Sequence, residues 1–351
     1  MSQRFDTLIL GQGLAGSALA WQLIEAGQQV CVIDDGHLTA SSRVAAGLIN
    51  PLAGMRFSRR PQLDDWLGSS DRWYSDLQHR LQRRFLHTLP MLRLFRSHEQ
   101  QRFYARVAED TANRDLLGKR FDSDQCPEPV SAPCGGFVQH RTGYVDMPQL
   151  LHLLRRWLTH HGALHECALD YREIEPTADG VAAAGLRADR LVFCDGARMC
   201  GNPWFDWLPL APDKGEILNL QIADRQLRHI VNAAHWLVPL TNGEIRLGAT
   251  HDHRSIDDKP TSGGRQELLR GLEGLLPRSQ YRVVAHQAGL RPATRDRYPL
   301  LGRHTQFPSL WVCNGFGARG ALTIPWYTRC LTEHLVRAAP LPAEADIRRC
   351  R

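Results

Sequence analysis

The stretch LILGQGLAGSALAWQL, residues 8–23, predicts the fold of this chain. An apolar run leads into Gly11, Gly13 and Gly16, which have a GxGxxG spacing, and an alanine- and leucine-rich helical pattern follows. Glycines placed in this way between a strand and a helix are typical of a dinucleotide-binding unit. Gly11 would permit a tight turn, Gly13 the close approach of a pyrophosphate, and Gly16 the packing of helix against strand. The free N–H groups at the helix N-terminus would bind the pyrophosphate.

The next predicted strand, QQVCVIDD, ends in Asp34 and Asp35. Asp34 follows Gly11 by about two dozen residues, the distance at which such units place a carboxylate that accepts hydrogen bonds from ribose hydroxyls. The alternative is that Asp34 caps the turn after the strand. NAD and FAD are both bound by this unit, so the residues of this region leave the choice between them open.

Length and composition indicate a globular protein of two domains. The chain has 351 residues, 43% of them hydrophobic and 23% charged, and a domain usually has ~150 residues. No apolar run approaches the ~20 residues of a membrane span, and the first strand begins too early to leave room for a signal peptide. We therefore expect a cytoplasmic protein.

Charge and cysteine usage point to neither nucleic acid nor metal. The net charge of +6 comes almost entirely from arginine, spread in short pairs rather than a basic tract. This excess is compatible with an anionic substrate or with weak nucleic-acid contact but requires neither. The nine cysteines contain no C-x-x-C pair, which favours reduced thiols. The HDH sequence at 251–253 has no further ligand at a recognisable spacing, so no metal is expected.

Later segments return to the first domain. ADRLVFCDGA (188–197) and SLWVCNGFGARGALTIP (309–325) are strand patterns that end in glycine turns, and HWLVPLTNGEIRLGATHDH (235–253) contains the hairpin signal Asn242-Gly243. Helices are predicted near 63–84 and 147–162, and residues 113–136 are predicted to be irregular. The fold class is α/β (α+β), a Rossmann-like domain interleaved with a mixed-sheet substrate domain. The predicted ranges are 1–58, 143–205 and 305–351 for the nucleotide-binding domain, and 59–142 and 206–304 for the substrate domain.

Four stretches together resemble the D-amino-acid oxidase (DAO) superfamily of flavoproteins, which has a glutathione-reductase-like two-domain fold. They are the N-terminal unit with Asp34, SSRVAAGL (41–48), VPLTNGEIRLGAT (238–250), and AGLRPATRDRYPLLGRH (288–304) with LWVCNGFGARGALTIP (310–325). The last pair is similar to the glycine oxidases and to the oxidase module of the bifunctional tRNA wobble-uridine enzymes. A nicotinamide dehydrogenase needs neither SSRVAAGL nor the returning GFGARG turn. The resemblance therefore implies FAD.

The resemblance also implies which residues bind FAD. Cys313 precedes the C-terminal glycine turn within a predicted buried strand, so non-covalent FAD is expected. The implied cofactor residues lie in the glycine turns, at the strand ends and in SSRVAAGL. They are Gly11, Gly13, Leu14, Ala15, Gly16, Asp34, Asp35, Ser41, Ser42, Ala45, Ala46, Gly47, Leu48, Gly196, Gly315, Gly317, Ala318, Arg319, Gly320, Ala321, Leu322 and Thr323.

Three residues are candidates for the substrate end of the site. By resemblance, Arg291 in GLRP grips a substrate carboxylate, for which a guanidinium offers paired donors. The alternative is a structural ion pair with Asp296 or another nearby acid. Arg319 is either a second functional arginine or part of a surface ion pair. Trp236 stands where relatives often have a pocket tyrosine, or it is a core aromatic at a strand end.

The implied function is FAD-dependent oxidation of a small carboxylated amine or amino acid. The substrate would give its Cα hydride directly to flavin N5 without a catalytic base, and oxygen or another acceptor would reoxidise the flavin. The alternatives are a 2-hydroxy-acid dehydrogenase, an oxidase for a modified tRNA wobble uridine, and a non-catalytic flavin-binding sensor. Against the tRNA alternative, the chain shows no methyltransferase domain and no dense basic patch.

Overall fold

The computed structural model describes residues 4–36, 40–223 and 227–350. The strands are β1 Arg4–Leu10, β2 Val30–Asp34, β3 Leu48–Ile49, β4 Leu86–Thr88, β5 Met91–Leu94, β6 Leu117–Phe121, β7 Gly136–Gln139, β8 Gly143–Val145, β9 Leu164–Glu166, β10 Glu175–Thr177, β11 Gly180–Ala183, β12 Leu186–Phe193, β13 Asp213–Ile222, β14 Ile230–Asn232, β15 Trp236–Pro239, β16 Ile245–Gly248, β17 Tyr281–Arg291, β18 Leu300–Arg303 and β19 Leu310–Asn314. The helices are α1 Leu14–Glu25, α2 Ser41–Val44, α3 Leu63–Leu81, α4 His98–Glu109, α5 Met147–His160, α6 Ser262–Leu275 and α7 Gly320–Arg337.

The first sheet has a parallel centre. Strands β9, β2, β1, β12 and β19 pair in that order, all parallel, and antiparallel β10, β11 and β18 complete the sheet. Helices α1 and α7 pack together on one face, and a second apolar cluster covers the other. The carboxyl-terminal halves of the central strands, such as 8–10 in β1 and 191–193 in β12, are apolar because both of their faces are buried. Their carboxyl ends meet at one edge of the sheet, where ligands bind in folds of this kind.

The second sheet is mainly antiparallel, in the order β17-β13-β16-β15-β14-β5-β7-β6. Alternate residues of β13 face opposite sides, as the pleat of a strand requires. Leu218 packs with Leu272 of α6 in one apolar cluster. Ile217 points the other way and packs against Val44 of α2. The second face of this sheet therefore meets the segment that follows β2, and a cavity lies between them.

The mixed α/β fold class is confirmed, and so is the Asn242-Gly243 hairpin, which joins the antiparallel β15 and β16. The helix predicted near 63–84 is α3. The prediction that residues 113–136 are irregular is wrong at residues 117–121, because β6 pairs with β7 there. β6 (LGKRF) lies at the sheet edge and exposes its central Lys119 and Arg120, so it lacks the apolar run by which strands are recognised. The predicted domain ranges stay a prediction; β18 joins the first sheet just before the boundary at 305.

Candidate active site

A cavity of roughly 470 Å³ lies between the two sheets. One end is formed by the turn from β1 to α1, and the other by the side chains of Trp236, His251 and Arg291 on the second sheet. The segment of residues 40–48 forms one wall, and the turn between β19 and α7 contributes Gly317, Ala318 and Gly320. The cavity thus connects the carboxyl edge of the parallel strands with the inner face of the antiparallel sheet.

The three glycines of the first turn have different surroundings. Gly11 has φ +102°, a conformation that favours glycine, and a Cβ there would lie 2.8 Å from the carbonyl oxygen of Cys194. A Cβ on Gly16 would run into the carbonyl oxygen of Gly11. At Gly13, whose φ is −70°, the nearest atom to a Cβ would be Ser42 Oγ at 3.3 Å. Gly11 and Gly13 both line the cavity, but only at Gly13, beside the N-terminus of α1, would an added Cβ meet no backbone atom.

Asp34 lies at the end of β2 and holds the glycine turn in place. Its carboxylate accepts hydrogen bonds from the backbone N–H of Gln12 at 2.8 Å and of Gly36 at 2.7 Å. It also forms an ion pair with Arg155 of α5, Nη1 to Oδ1 2.8 Å. The turn-capping alternative is therefore present in the structure, and the carboxylate also lines the cavity. Binding of a ribose by Asp34 stays a prediction.

Asp195 and Asn314, which follow β12 and end β19, were not predicted as site residues although both line the cavity. The Tyr171 hydroxyl donates to Asp195, and Asn314 Nδ2 donates to the carbonyl oxygen of Gly196 at 3.0 Å. Burial raises the pKa of Asp195 to about 6, although the hydrogen bond from Tyr171 opposes this shift. The strand pattern that ends in CDGA contains Asp195, but the prediction made from it named Gly196 alone.

Most of the predicted cofactor residues line the cavity. Among the described residues, the exceptions are Gly16, Gly315, Arg319, Leu322 and Thr323. Gly16 lies against the turn, and Leu322 and Thr323 are buried within α7. The members that line the cavity are Gly11, Gly13, Leu14, Ala15, Asp34, Asp35, Ser41, Ser42, Ala45, Ala46, Gly47, Leu48, Gly196, Gly317, Ala318, Gly320 and Ala321.

Arg291 ends β17 and lies across from β13 at the substrate-side wall. A Cβ on Gly215 would occupy the position of the guanidinium, so this glycine makes room for it. Arg291 Nη1 lies 2.7 Å from Asp213 Oδ2, and Nη2 donates to the carbonyl oxygen of Thr250 at 3.3 Å. Asp296, the acid suggested as its alternative partner, pairs instead with Arg349. Arg291 thus lines the cavity and is also paired with an acid.

Asp213 joins Arg291 to His251, a residue that sequence reasoning considered only as a metal ligand. His251 Nδ1 lies 2.7 Å from the same oxygen of Asp213. Burial alone would raise the pKa of Asp213, but the hydrogen bond from His251 and the charge of Arg291 hold it below its usual value. Trp236 lies beside them, and the absence of a side chain at Gly248 leaves room for its ring. Arg291, His251 and Trp236 form the substrate-side wall, and Asp213 holds the first two of them.

The placement of Arg319 differs from both alternatives considered for it. Its Cζ lies 5.1 Å from the centre of the Trp66 ring, and Nη2 donates to the carbonyl oxygen of Arg297 at 2.9 Å. Burial lowers its pKa, and so does the nearby charge of Arg60. It is not among the described residues that line the cavity. A direct role of Arg319 in substrate binding therefore finds no support in this geometry.

Comparison with known proteins decides the family. A family profile described as FAD dependent oxidoreductase (DAO) matches residues 6–334. The chain belongs to the DAO family of FAD-dependent oxidoreductases. Glycine oxidase of Pseudomonas putida is 27% identical over 96% of both chains. The tRNA 5-methylaminomethyl-2-thiouridine biosynthesis bifunctional protein MnmC of Marinobacter nauticus is 26% identical over 93% of this chain and 55% of its own length. The crystal structure of glycine oxidase from Geobacillus kaustophilus superposes with a TM-score of 0.85 at 23% identity, covering 98% and 97% of the two chains.

The residues of this DAO-family cavity fit FAD. The open side of Gly13, next to the N-terminus of α1, leaves room for a pyrophosphate that a Cβ would fill. Asp34 lies at the adjacent strand end, where a ribose would be bound. Cys313 is fully buried in β19 and is not among the described residues that line the cavity, and a non-covalent flavin stays a prediction. Within the described residues, no helix is both long and apolar enough to cross a membrane.

Proposed function

We propose that this FAD-dependent oxidoreductase oxidises the C–N bond of a small carboxylated amine or amino acid. The observation that carries the proposal is Arg291, which lines the cavity from the second sheet, whereas the glycine turn lines it from the first. A guanidinium offers paired N–H donors that match the two oxygens of a carboxylate. A substrate held by its carboxylate at this wall would present its amine-bearing carbon toward the flavin end of the cavity.

The remaining residues of the wall position the substrate and exclude water. Ile217, Trp236 and Ala249 form an apolar surface beside Arg291 and pack against Val44. Bound FAD supplies the hydride acceptor for the reaction. Oxidation of a neutral amine at its α-carbon needs no protein base, so the contribution of the chain is orientation and a dry environment. The named relatives support this proposal, since two of the three reported above are glycine oxidases.

The alternatives share part of this chemistry. A 2-hydroxy acid also carries a carboxylate that Arg291 would bind, and a carboxymethylaminomethyl uridine in tRNA is itself a carboxylated amine. Resemblance of 26% to the bifunctional MnmC protein favours keeping the tRNA substrate as a second candidate. The choice therefore depends on which compound reduces the flavin.

The test is anaerobic reduction of the purified yellow holoenzyme. Glycine, sarcosine, proline, D-amino acids, L-2-hydroxy acids and tRNA bearing the modified uridine are added separately, and the visible flavin bands are followed. We expect bleaching by at least one small carboxylated amine. Bleaching by hydroxy acids alone, by the modified tRNA alone, or by none of the compounds would overturn the proposal. Oxygen uptake compared with reduction of a dye then identifies the class of electron acceptor.

A further inference from the structure

His251 and Arg291 lie side by side in the cavity wall and share one buried carboxylate. Asp213 Oδ2 lies 2.7 Å from Arg291 Nη1 and 2.7 Å from His251 Nδ1. The side chain of Asp213 is 8% exposed, whereas that of His251 is 62% exposed and lines the cavity. Because a carboxylate oxygen only accepts hydrogen bonds, Nδ1 of His251 carries a proton there. The second ring nitrogen, Nε2, is not used by this contact.

The charges of this cluster do not favour a substrate carboxylate when His251 is neutral. The positive charge of Arg291 is offset by the negative charge of Asp213 at hydrogen-bond distance. A substrate carboxylate would then meet a cluster whose net charge is zero, so the cluster would attract it only weakly. Protonation of His251 restores the balance, because the imidazolium ring carries one positive charge and a second N–H donor.

The other charged groups around His251 do not remove this need. Asp258 also lines the cavity and adds negative charge. His253 Nδ1 lies 3.7 Å from the second oxygen of Asp213. Burial lowers the pKa of His235, and the neighbouring His251 acts in the same direction. Neither of these two histidines is among the described residues that line the cavity. His251 is therefore the histidine of this group that a substrate can meet.

We propose that His251 is the second half of the receptor for the substrate carboxylate, with Arg291 as the first half and Asp213 as the positioning residue that orients both. This inference rests on the proposed function, in which the substrate carries a carboxylate. His251 acts as a specificity-determining residue: a charged imidazole favours carboxylated substrates, and a neutral imidazole weakens their binding. Substrates that lack a carboxylate do not gain from the charge.

The test uses acetate, an inert carboxylate whose own charge is constant over the range studied. Acetate is titrated into the holoenzyme from about pH 5.5 to about pH 8.5, the range in which histidines change charge. Binding is followed by the perturbation of the flavin absorbance and by the heat of binding. We expect the acetate Kd to rise about tenfold or more across this range, as for the loss of one hydrogen bond to a charged group. A Kd that does not change, or no acetate binding at all, would overturn the inference.

Two matched variants locate the effect. His251→Gln keeps a polar side chain without a titrating charge, and we expect weak acetate binding that no longer depends on pH. His253→Gln alters a histidine that also lies near Asp213 but outside the described lining, and we expect it to behave as the wild type. If His251→Gln kept the wild-type pH dependence, or if both variants lost it equally, direct contact of His251 with the carboxylate would be refuted.

These outcomes are separable from those of the proposed function. If no compound in the substrate panel reduced the flavin but acetate bound with the expected pH dependence, the proposed reaction would fail and the carboxylate receptor would stand. If a carboxylated amine reduced the flavin but the acetate Kd did not depend on the charge of His251, the proposed reaction would stand and the role of His251 would be refuted.

Discussion

The two ends of the cavity are formed by different kinds of chemical group. The flavin end consists of backbone groups and glycines of one local unit, in which Gly13 leaves open space and the N-terminus of α1 offers N–H groups. The substrate end consists of charged side chains from separate strands, in which Asp213 offsets the charge of Arg291. An added Cβ is the change that would disrupt the first end most, and a changed charge is the one that would disrupt the second end most. In the function proposed above, the first end binds the cofactor that the family shares, and the second selects the substrate.

The largest effect is expected at the flavin end. Gly13→Val places a side chain in the open space beside Ser42, so we expect a folded but colourless protein. Gly16→Val instead drives a side chain into the carbonyl oxygen of Gly11, so we expect failure to fold. Circular dichroism measures folding, and visible absorbance per mole of protein measures flavin content. Full flavin occupancy in Gly13→Val would show that the pyrophosphate does not lie at this glycine.

At the substrate end, Arg291→Ala should lower kcat/KM for a carboxylated amine. The fall should correspond to a loss of about 2 to 5 kcal/mol in transition-state stabilisation, the range for truncating one partner of a buried charge pair. The loss should fall mainly on KM, with little change for an amine that lacks a carboxylate. Arg291→Lys should restore only part of it, because one ammonium cannot reproduce a two-point contact.

A control for this variant is needed because Arg291→Ala leaves Asp213 without its guanidinium partner. The double variant Arg291→Ala/Asp213→Asn removes both charges, and it should keep the high KM while regaining the free energy of unfolding lost by the single variant. Flavin content should equal that of the wild type in all three proteins. Wild-type turnover by Arg291→Ala would refute the assignment of this wall as the carboxylate site.

A smaller effect is expected from Asp195, in the middle of the cavity. Its pKa is raised to about 6 in the folded protein, so the folded state binds the proton more tightly than the unfolded state. The free energy of unfolding should therefore fall as the pH rises from about 4 to about 6. Asp195→Asn removes this cost, and we expect a gain of up to about 3 kcal/mol near pH 7.5 and little gain near pH 4. Urea unfolding at matched flavin content measures this change in the free energy of unfolding. If Asp195→Asn were less stable than the wild type near pH 7.5, the charged carboxylate would be stabilised in the folded protein.

The contrast between the two ends also explains what the sequence could predict. Gly11, Gly13 and Asp34 lie within one short unit, so their spacing was enough to place them at the cavity. Asp213 and Arg291 are 78 residues apart in sequence and meet only through the pairing register of β13 and β17. No local pattern reveals that register. Arg155 was missed for the same reason, because its partner Asp34 lies on a distant strand.

The smallest effect is expected at Arg319, the arginine that resemblance suggested beside Arg291. Its guanidinium stacks on Trp66, a contact with a free energy of about 0.5 to 1 kcal/mol, and its remaining hydrogen bond is to a backbone carbonyl. Arg319→Ala should therefore lower the free energy of unfolding by about 1 kcal/mol while kcat/KM changes within about twofold. Unfolding and steady-state kinetics are measured on the same preparation as Arg291→Ala. If KM rose as much as it does in Arg291→Ala, the Arg319 side chain would have to leave Trp66 and reach the substrate. The cavity would then have a second charged group near its glycine-built end, and the comparison between its two ends would not hold.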